Sequence, residues 1–231
     1  MRSFLTIAVA MFAIATPADA ATRNFGVSGF DRIRVEGPFK VRLTTGIAPF
    51  ATASGSATAL DGVAIDVQGR TLVVRSSRAS WGGYPGDSKG PVEISIGTHE
   101  LTAAWLNGSG SLAIDKVKGL SFDLSVQGSG AASIGKVAVD KLKVAISGAA
   151  GATIAGVAPK VTAIVRGVSS LDASGLTAKD AIIGAQGPAT VKATVTGTAK
   201  VDAMGAAAVG LAGNPACTVK AEGSATVSGC R

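Results

Sequence analysis

Leu101–Val117 reads LTAAWLNGSGSLAIDKV, Phe122–Val137 reads FDLSVQGSGAASIGKV, Leu142–Val157 reads LKVAISGAAGATIAGV and Val161–Leu176 reads VTAIVRGVSSLDASGL. Laid over one another, these segments share a turn centred on Gly108, Gly128, Gly148 and Gly167, and the spacing continues to Gly187 with weaker echoes at Gly205 and Gly223. A turn repeated about every 20 residues marks a solenoid, in which each repeat is one rung and no repeat can bury its apolar face alone.

The columns agree in chemistry. Two residues before each turn glycine stand Leu106, Val126, Ile146, Val165 and Ala185. Four before stand Ala104, Leu124, Val144, Ala163 and Ile183, and six before stand Thr102, Phe122, Leu142, Val161 and Ala181. This alternation predicts a strand with one face inward. After the turn the pattern resumes in three columns. Leu112, Ala132, Ala152, Leu171 and Val191 form the first. Ile114, Ile134, Ile154, Ala173 and Ala193 form the second, and Val117, Val137, Val157 and Leu176 the third. The residues between are small or polar and are expected to face solvent. A change of direction in every rung needs positive φ or a missing Cβ. Gly108-Ser109-Gly110 and Gly128-Ser129-Gly130 supply both, and later rungs relax to Gly-Ala-Ala and Gly-Val-Ser. The residues just before the turn (Asn107, Gln127, Ser147, Arg166, Gln186) invite a stacked hydrogen-bond ladder.

The expected fold is therefore all-β, a parallel β-helix with rungs of about 20 residues. A β-sandwich is the rival, but regular spacing with in-register apolar columns favours the winding. Helix is a poor competitor, because glycine recurs too often and no 3.6-residue period appears. Seven turn glycines suggest seven rungs, a shaft of roughly 35 Å at the usual inter-strand spacing.

The N-terminal part is less regular. Arg32–Val35 and Phe39–Leu43 read as strands joined through Gly37-Pro38, Val63–Val67 and Thr71–Arg75 as a hairpin around Gln68-Gly69-Arg70, and Pro91–Ile96 as another strand. Residues 21–98 are expected to cap the solenoid or start its coils, and residues 99–231 to form the regular stack. Before them, residues 1–20 carry Arg2, an apolar run from Phe4 to Ala15 and a small-x-small site at Ala18-Asp19-Ala20. That is the pattern of a secretory signal peptide cleaved after Ala20, and the run is short for a membrane span. No later segment is apolar and long enough to span, so the expected address is export to periplasm, outer surface or medium.

The net charge is +7, and cleavage removes one Arg and one Asp, leaving it unchanged. The basic residues are scattered singly, which reads as a solvated surface rather than a polyanion site. No nucleic-acid-binding signature is present, so nucleic acid is not an expected partner. The two cysteines, Cys217 and Cys230, form an isolated pair near the C-terminus. In an exported chain such a pair is expected to be a disulfide, stapling the last rung against fraying. A metal site would need more ligands, and no cofactor motif occurs.

Catalysis finds little support. β-Helix polysaccharide enzymes need converging carboxylates, whereas Asp115, Asp123, Asp140, Asp172 and Asp180 are spread through the rungs. The single histidine, His99, stands beside Glu100 without a nucleophile motif and reads as a surface residue. The segment 76–90, SSRASWGGYPGDSKG, holds Trp81 and the only tyrosine, Tyr84. Aromatics on a Gly/Pro/Ser-rich loop are candidate contacts for sugar or protein. Trp105 is a third candidate, on the outward column with Ser125 and Ala145, where a flat face of small residues could stack against another protomer to give a homo-oligomer.

Several stretches together carry a resemblance. FDRIRVEGPFKVRLTTG (30–46), Leu60-Asp61, Gln68–Leu72, the Gly-Ser-Gly rungs and GNPACTVKAEGSATVSGC (213–230) resemble the head GIN domain family, whose members carry the label auto-transporter adhesin. The resemblance covers about Phe30 to Cys230. It implies a right-handed β-helix, sometimes oligomeric, in an exported bacterial protein. It brings no catalytic residues to carry over. No large C-terminal barrel follows, so a self-sufficient autotransporter is not expected. The functional expectation is a non-enzymatic adhesive, scaffolding or envelope-binding role toward an unidentified protein or glycan. A carbohydrate-active enzyme and a periplasmic signalling or chaperone partner are the alternatives.

Overall fold

A computed structural model describes residues 21–77 and 90–231. The chain is a β-solenoid of about six turns with rungs of about 20 residues. Seventeen strands join in one continuous sheet.

The regular stack begins with β8 (Ala103–Gly108) and β9 (Ser111–Gly128) and continues through β10 (Ala131–Gly148), β11 (Gly151–Val157), β12 (Lys160–Gly167), β13 (Ser170–Gln186) and β14 (Thr190–Gly205). It closes with β15 (Ala208–Ala212), β16 (Ala216–Gly223) and β17 (Thr226–Ser228). Every neighbouring pair in this part is parallel, and the corners stack in register, Gly108 over Gly128, Gly128 over Gly148 and Gly148 over Gly167, with register shifts confined to the strands after the corner. The corner geometry accounts for the glycines. At Gly148 φ is +100°, and a Cβ there would lie 2.4 Å from the carbonyl oxygen of Gly128 on the rung below. Side chains are excluded twice, by the dihedral and by the stacked backbone. Rung-to-rung backbone bonds hold the corner, Ala149 N–H donating to Gly128 O at 2.8 Å and Gly151 N–H to Gly130 O at 3.1 Å.

Inside, the aliphatic columns before the corner are fully sequestered: Leu106, Val126, Ile146 and Val165 are at most 2% exposed. After the corner Leu112, Ala132, Ala152, Leu171 and Val191 do the same, each at most 5% exposed. The third column departs from expectation. Val117, Val137 and Leu176 are buried, but Val157 is 54% exposed. Gly156, not Val157, sits in register with Val137 and Leu176. Its φ of +125° and the backbone of Val137, 2.2 Å from where a Cβ would stand, leave room only for glycine. The rung is shifted by one residue there, and Val157 joins the outward row with Ala138 and Thr177. The expected amide ladder is absent as well. Asn107, Gln127, Ser147, Arg166 and Gln186 stack in register, but Ser147 and Arg166 part Gln127 from Gln186, and no side-chain hydrogen bond joins even the directly stacked Asn107 and Gln127.

The N-terminal part is wound out of order. β2 (Arg32–Glu36) and β3 (Lys40–Thr45) form a rung. The chain then runs through β4 (Phe50–Gly55), the short helix α1 (Ala57–Asp61), β5 (Val63–Gln68), β6 (Thr71–Ser76) and β7 (Glu93–Thr98). β6 and β7 pair with one side of that rung, and β8 and β9 with its other side, all in parallel. The rung made first is therefore second in the stack. β5 pairs antiparallel with β6, and β4 antiparallel with both β7 and β1 (Ala21–Phe25), which closes this end. Helix α1 is capped by the Ser56 side chain, buries Leu60 and Ala59, and lies against β1, β4 and β5. At the far end β16 is exposed, and Cys217 and Cys230 are joined by a disulfide.

Candidate binding surface

The strands that lead into the corner glycines present one flat outer side of the solenoid. Alternation sends Leu124 and Val126 inward and Asp123, Ser125 and Gln127 outward, and parallel register turns these outward residues into rows along the axis. Trp105 is half-buried on the row with Ser125, Ala145 and Ile164. The Arg34 guanidinium, one rung away on β2, lies 5.8 Å from its ring centroid, within cation–π range. Small neighbours leave a shallow concavity of about 260 Å³ beside the indole, floored by Ser125 and Ala145 and bordered by Ile164. Trp81 and Tyr84 lie outside the described residues, so their relation to Trp105 is not drawn.

A second concavity was not anticipated. It is a groove of about 600 Å³ crossing five rungs on the same side. One wall is the row Lys141, Lys160, Asp180, Thr198, Ala216, and the other is Lys143, Thr162, Ile182, Lys200, Thr218. Leu142, Val161, Ala181, Ala199 and Cys217 lie between the two rows and form the floor. The Thr198 hydroxyl donates to Asp180 at 2.6 Å and holds that carboxyl below its ordinary value, with the Lys179 and Lys160 charges adding to the effect. Among the described residues none of Lys141, Lys143, Lys160 and Lys200 forms a close ion pair. Four cations thus converge from residues that look scattered along the chain. The signal was present in the sequence: Lys141 and Lys160 each stand seven residues before a corner glycine.

The acids do not converge. Asp115 accepts from Thr45 N–H at 2.9 Å and helps hold β9 to β3. Asp172 is held below its ordinary pKa by the hydroxyl and the backbone N–H of Ser174. Asp31, which the sequence did not single out, is a buried carboxylate gripped by the Arg70 guanidinium at 3.1 and 2.7 Å, with the Thr102 hydroxyl at 3.2 Å. These contacts pin the N-terminal rung to its neighbours on both sides. His99 is exposed. Among the described residues no three His, Cys, Asp or Glu side chains gather at one point, and no helix is long and apolar enough to cross a membrane.

Residues 29–215 match the family described as "Putative auto-transporter adhesin, head GIN domain". The chain belongs to that family. No curated protein matches it by sequence. Among solved structures, a "putative adhesin" from Bacteroides fragilis superimposes with a TM-score of 0.78 at 18% identity, covering 90% of this chain and 96% of that one. A "putative lipid binding protein" from Parabacteroides distasonis gives 0.69 at 17% identity over 90% and 95%. A "putative adhesin" from the same species gives 0.66 at 17% over 91% and 96%. At these identities the likeness is one of fold.

Proposed function

We propose that this head GIN domain protein is an exported, non-enzymatic β-solenoid that attaches to a component of the cell envelope. The observation that carries the reading is the half-exposed Trp105 set among small residues on a rigid, flat side of the shaft. An aromatic ring on a surface that cannot deform is a low-entropy contact point for a sugar ring or a partner's side chain. Family membership supports it, as do the names of the neighbours, two called adhesins and one lipid-binding. Trp81 and Tyr84 belong to the same proposal as further contacts. The test is a pull-down from envelope extract beside a glycan array, comparing the purified protein with Trp105→Ala. Attachment should fall severalfold, while stability drops only by the loss of one exposed cation–π contact, about 0.5–1 kcal/mol. Undiminished attachment of the variant would remove this surface from the account.

A further inference from the structure

We infer that the lysine-walled groove is a binding site for a linear acidic polysaccharide, with carboxylate-bearing sugars lying along the solenoid axis. The groove runs across five parallel rungs, a length of roughly 19 Å at the normal inter-strand spacing. Among the described residues none of its lysines forms a close ion pair, and its one carboxylate, Asp180, stands beside Lys160 and accepts from Thr198, which leaves a surplus of three positive charges. Lys141 and Lys160 are direct neighbours on one wall, Lys143 faces them from the other, and Lys200 stands two rungs beyond Thr162. Along the walls the hydroxyls of Thr162 and Thr218 can donate to or accept from sugar hydroxyls, while that of Thr198, which donates to Asp180, can accept. Ile182, 56% exposed, supplies an apolar patch for the C–H face of a sugar ring. Past Lys141 and Lys143 the surface changes sign at Asp123 and Asp140, so the anionic chain would end or turn outward there.

The same features argue against other polyanions. A single-stranded nucleic acid needs aromatic platforms for its bases, and none lines the groove. An anionic membrane is a surface, and it would be met by lysines on a projecting face rather than by cations placed along the walls of a trough. An extended chain of acidic sugars meets these observations: walls of net positive charge, hydroxyls along them, one apolar patch and a length of several sugars.

The inference goes beyond the proposed attachment through Trp105 and does not require it. The experiment is titration calorimetry of the purified protein with linear polygalacturonate. Dextran, phosphatidylglycerol vesicles and oligothymidine serve as the other arms. Polygalacturonate should bind with an affinity that falls as salt rises, because the contacts are charge pairs near the surface. The triple variant Lys141→Gln, Lys143→Gln, Lys160→Gln should lose about tenfold or more, while Lys136→Gln with Lys192→Gln, outside the groove, changes nothing. Should the triple variant lose its fold, Lys141→Gln and Lys160→Gln singly carry the same test at smaller amplitude. No binding of polygalacturonate, equal binding of dextran, or equal loss in the control variant would overturn the inference. So would tighter binding of vesicles or oligothymidine through the same lysines. A Trp105→Ala protein that fails to attach to envelope yet binds polygalacturonate normally would show that the two surfaces act separately.

Discussion

Alanine scanning of four glycines separates the two physical reasons for the corners. Gly148 has φ +100° and a virtual Cβ 2.4 Å from a stacked carbonyl; Gly119 has φ +141° with nothing within 4 Å. Gly135 has no positive φ, but its virtual Cβ lies 2.8 Å from the Asp115 carbonyl, and Gly184 has neither problem. Gly119→Ala therefore measures strain alone, about 1–3 kcal/mol for a non-glycine residue in such a region. Gly135→Ala measures backbone crowding alone, about 1–3 kcal/mol. Gly148→Ala suffers both, about 2–6 kcal/mol in sum, or roughly 5–20 °C in melting temperature for a chain of this size. Gly184→Ala should gain about 0.4–1 kcal/mol by restricting the unfolded chain. Urea unfolding followed by circular dichroism and by tryptophan fluorescence reads all four. If Gly148→Ala unfolds at the same urea concentration as Gly184→Ala, the corners do not need glycine. If it costs no more than Gly119→Ala, the stacked carbonyl is not a constraint and the wound stack loses its geometric argument.

Replacing both Cys217 and Cys230 by serine opens a loop with a separation of 13 residues, worth about 3 kcal/mol in chain entropy. Amide exchange should speed up in β16 and β17 and stay unchanged in β9 and β10, whereas a uniform change would show that the bond does more than staple the end. Val157→Ser, at an exposed position, should change stability by no more than about 0.5 kcal/mol. Val137→Ala, in the buried column, should cost about 2 kcal/mol; comparable denaturation midpoints for the two would contradict the shifted rung. The Asp180 carboxyl lies below its ordinary 3.8 chiefly through the Thr198 hydroxyl. Its contribution to stability is therefore present above the unfolded value and fades as pH falls through the lower folded midpoint. Thr198→Val should raise that midpoint toward 3.8 in a carboxyl NMR titration, and an unmoved midpoint would deny the hydrogen bond its role.

The regular rungs were legible because a parallel in-register stack copies one local rule. Each strand sets Leu106-like and Ala104-like positions inward, and the corner recurs where glycine alone fits. The rule failed at Val157 because Gly156 absorbs a one-residue shift that leaves the apolar count unchanged. A Gly-Val pair at a rung end reads equally well in either register until the neighbouring backbone is known. Five of the seven strands before β8 were found, β1, β4 and the short helix α1 were not, and neither was the stacking order. Ile33 and Val35 read as an inward face whichever strands flank them, and nothing local says that β6 and β8 take opposite sides of β2. That order follows from the antiparallel β4 and β5–β6 returns and from the Asp31–Arg70–Thr102 contacts, which span 39 and 71 residues.

The surface follows a different logic from the core, and this explains why Trp105 could be read from the sequence while the groove could not. A tryptophan is conspicuous as a single residue. The groove's property is a sum over rungs: Lys141, Lys160 and Lys200 are each unremarkable, and their separations of 19 and 40 residues defeat any search for a basic run. Winding divides those separations by the rung length and sets the charges within a few inter-strand spacings of one another. In a solenoid, then, a charge pattern has to be read down the columns after the register is known, in the same way as the apolar pattern. Applied to the outward rows, that reading finds the sign changing where Asp123 stands against Lys143, where Asp180 stands against Lys160 and where Asp172 stands against Lys192. From Lys141 and Lys143 to Thr218 the two walls of the groove together carry four lysines against one carboxylate, Asp180, and that surplus is what an anionic chain would meet.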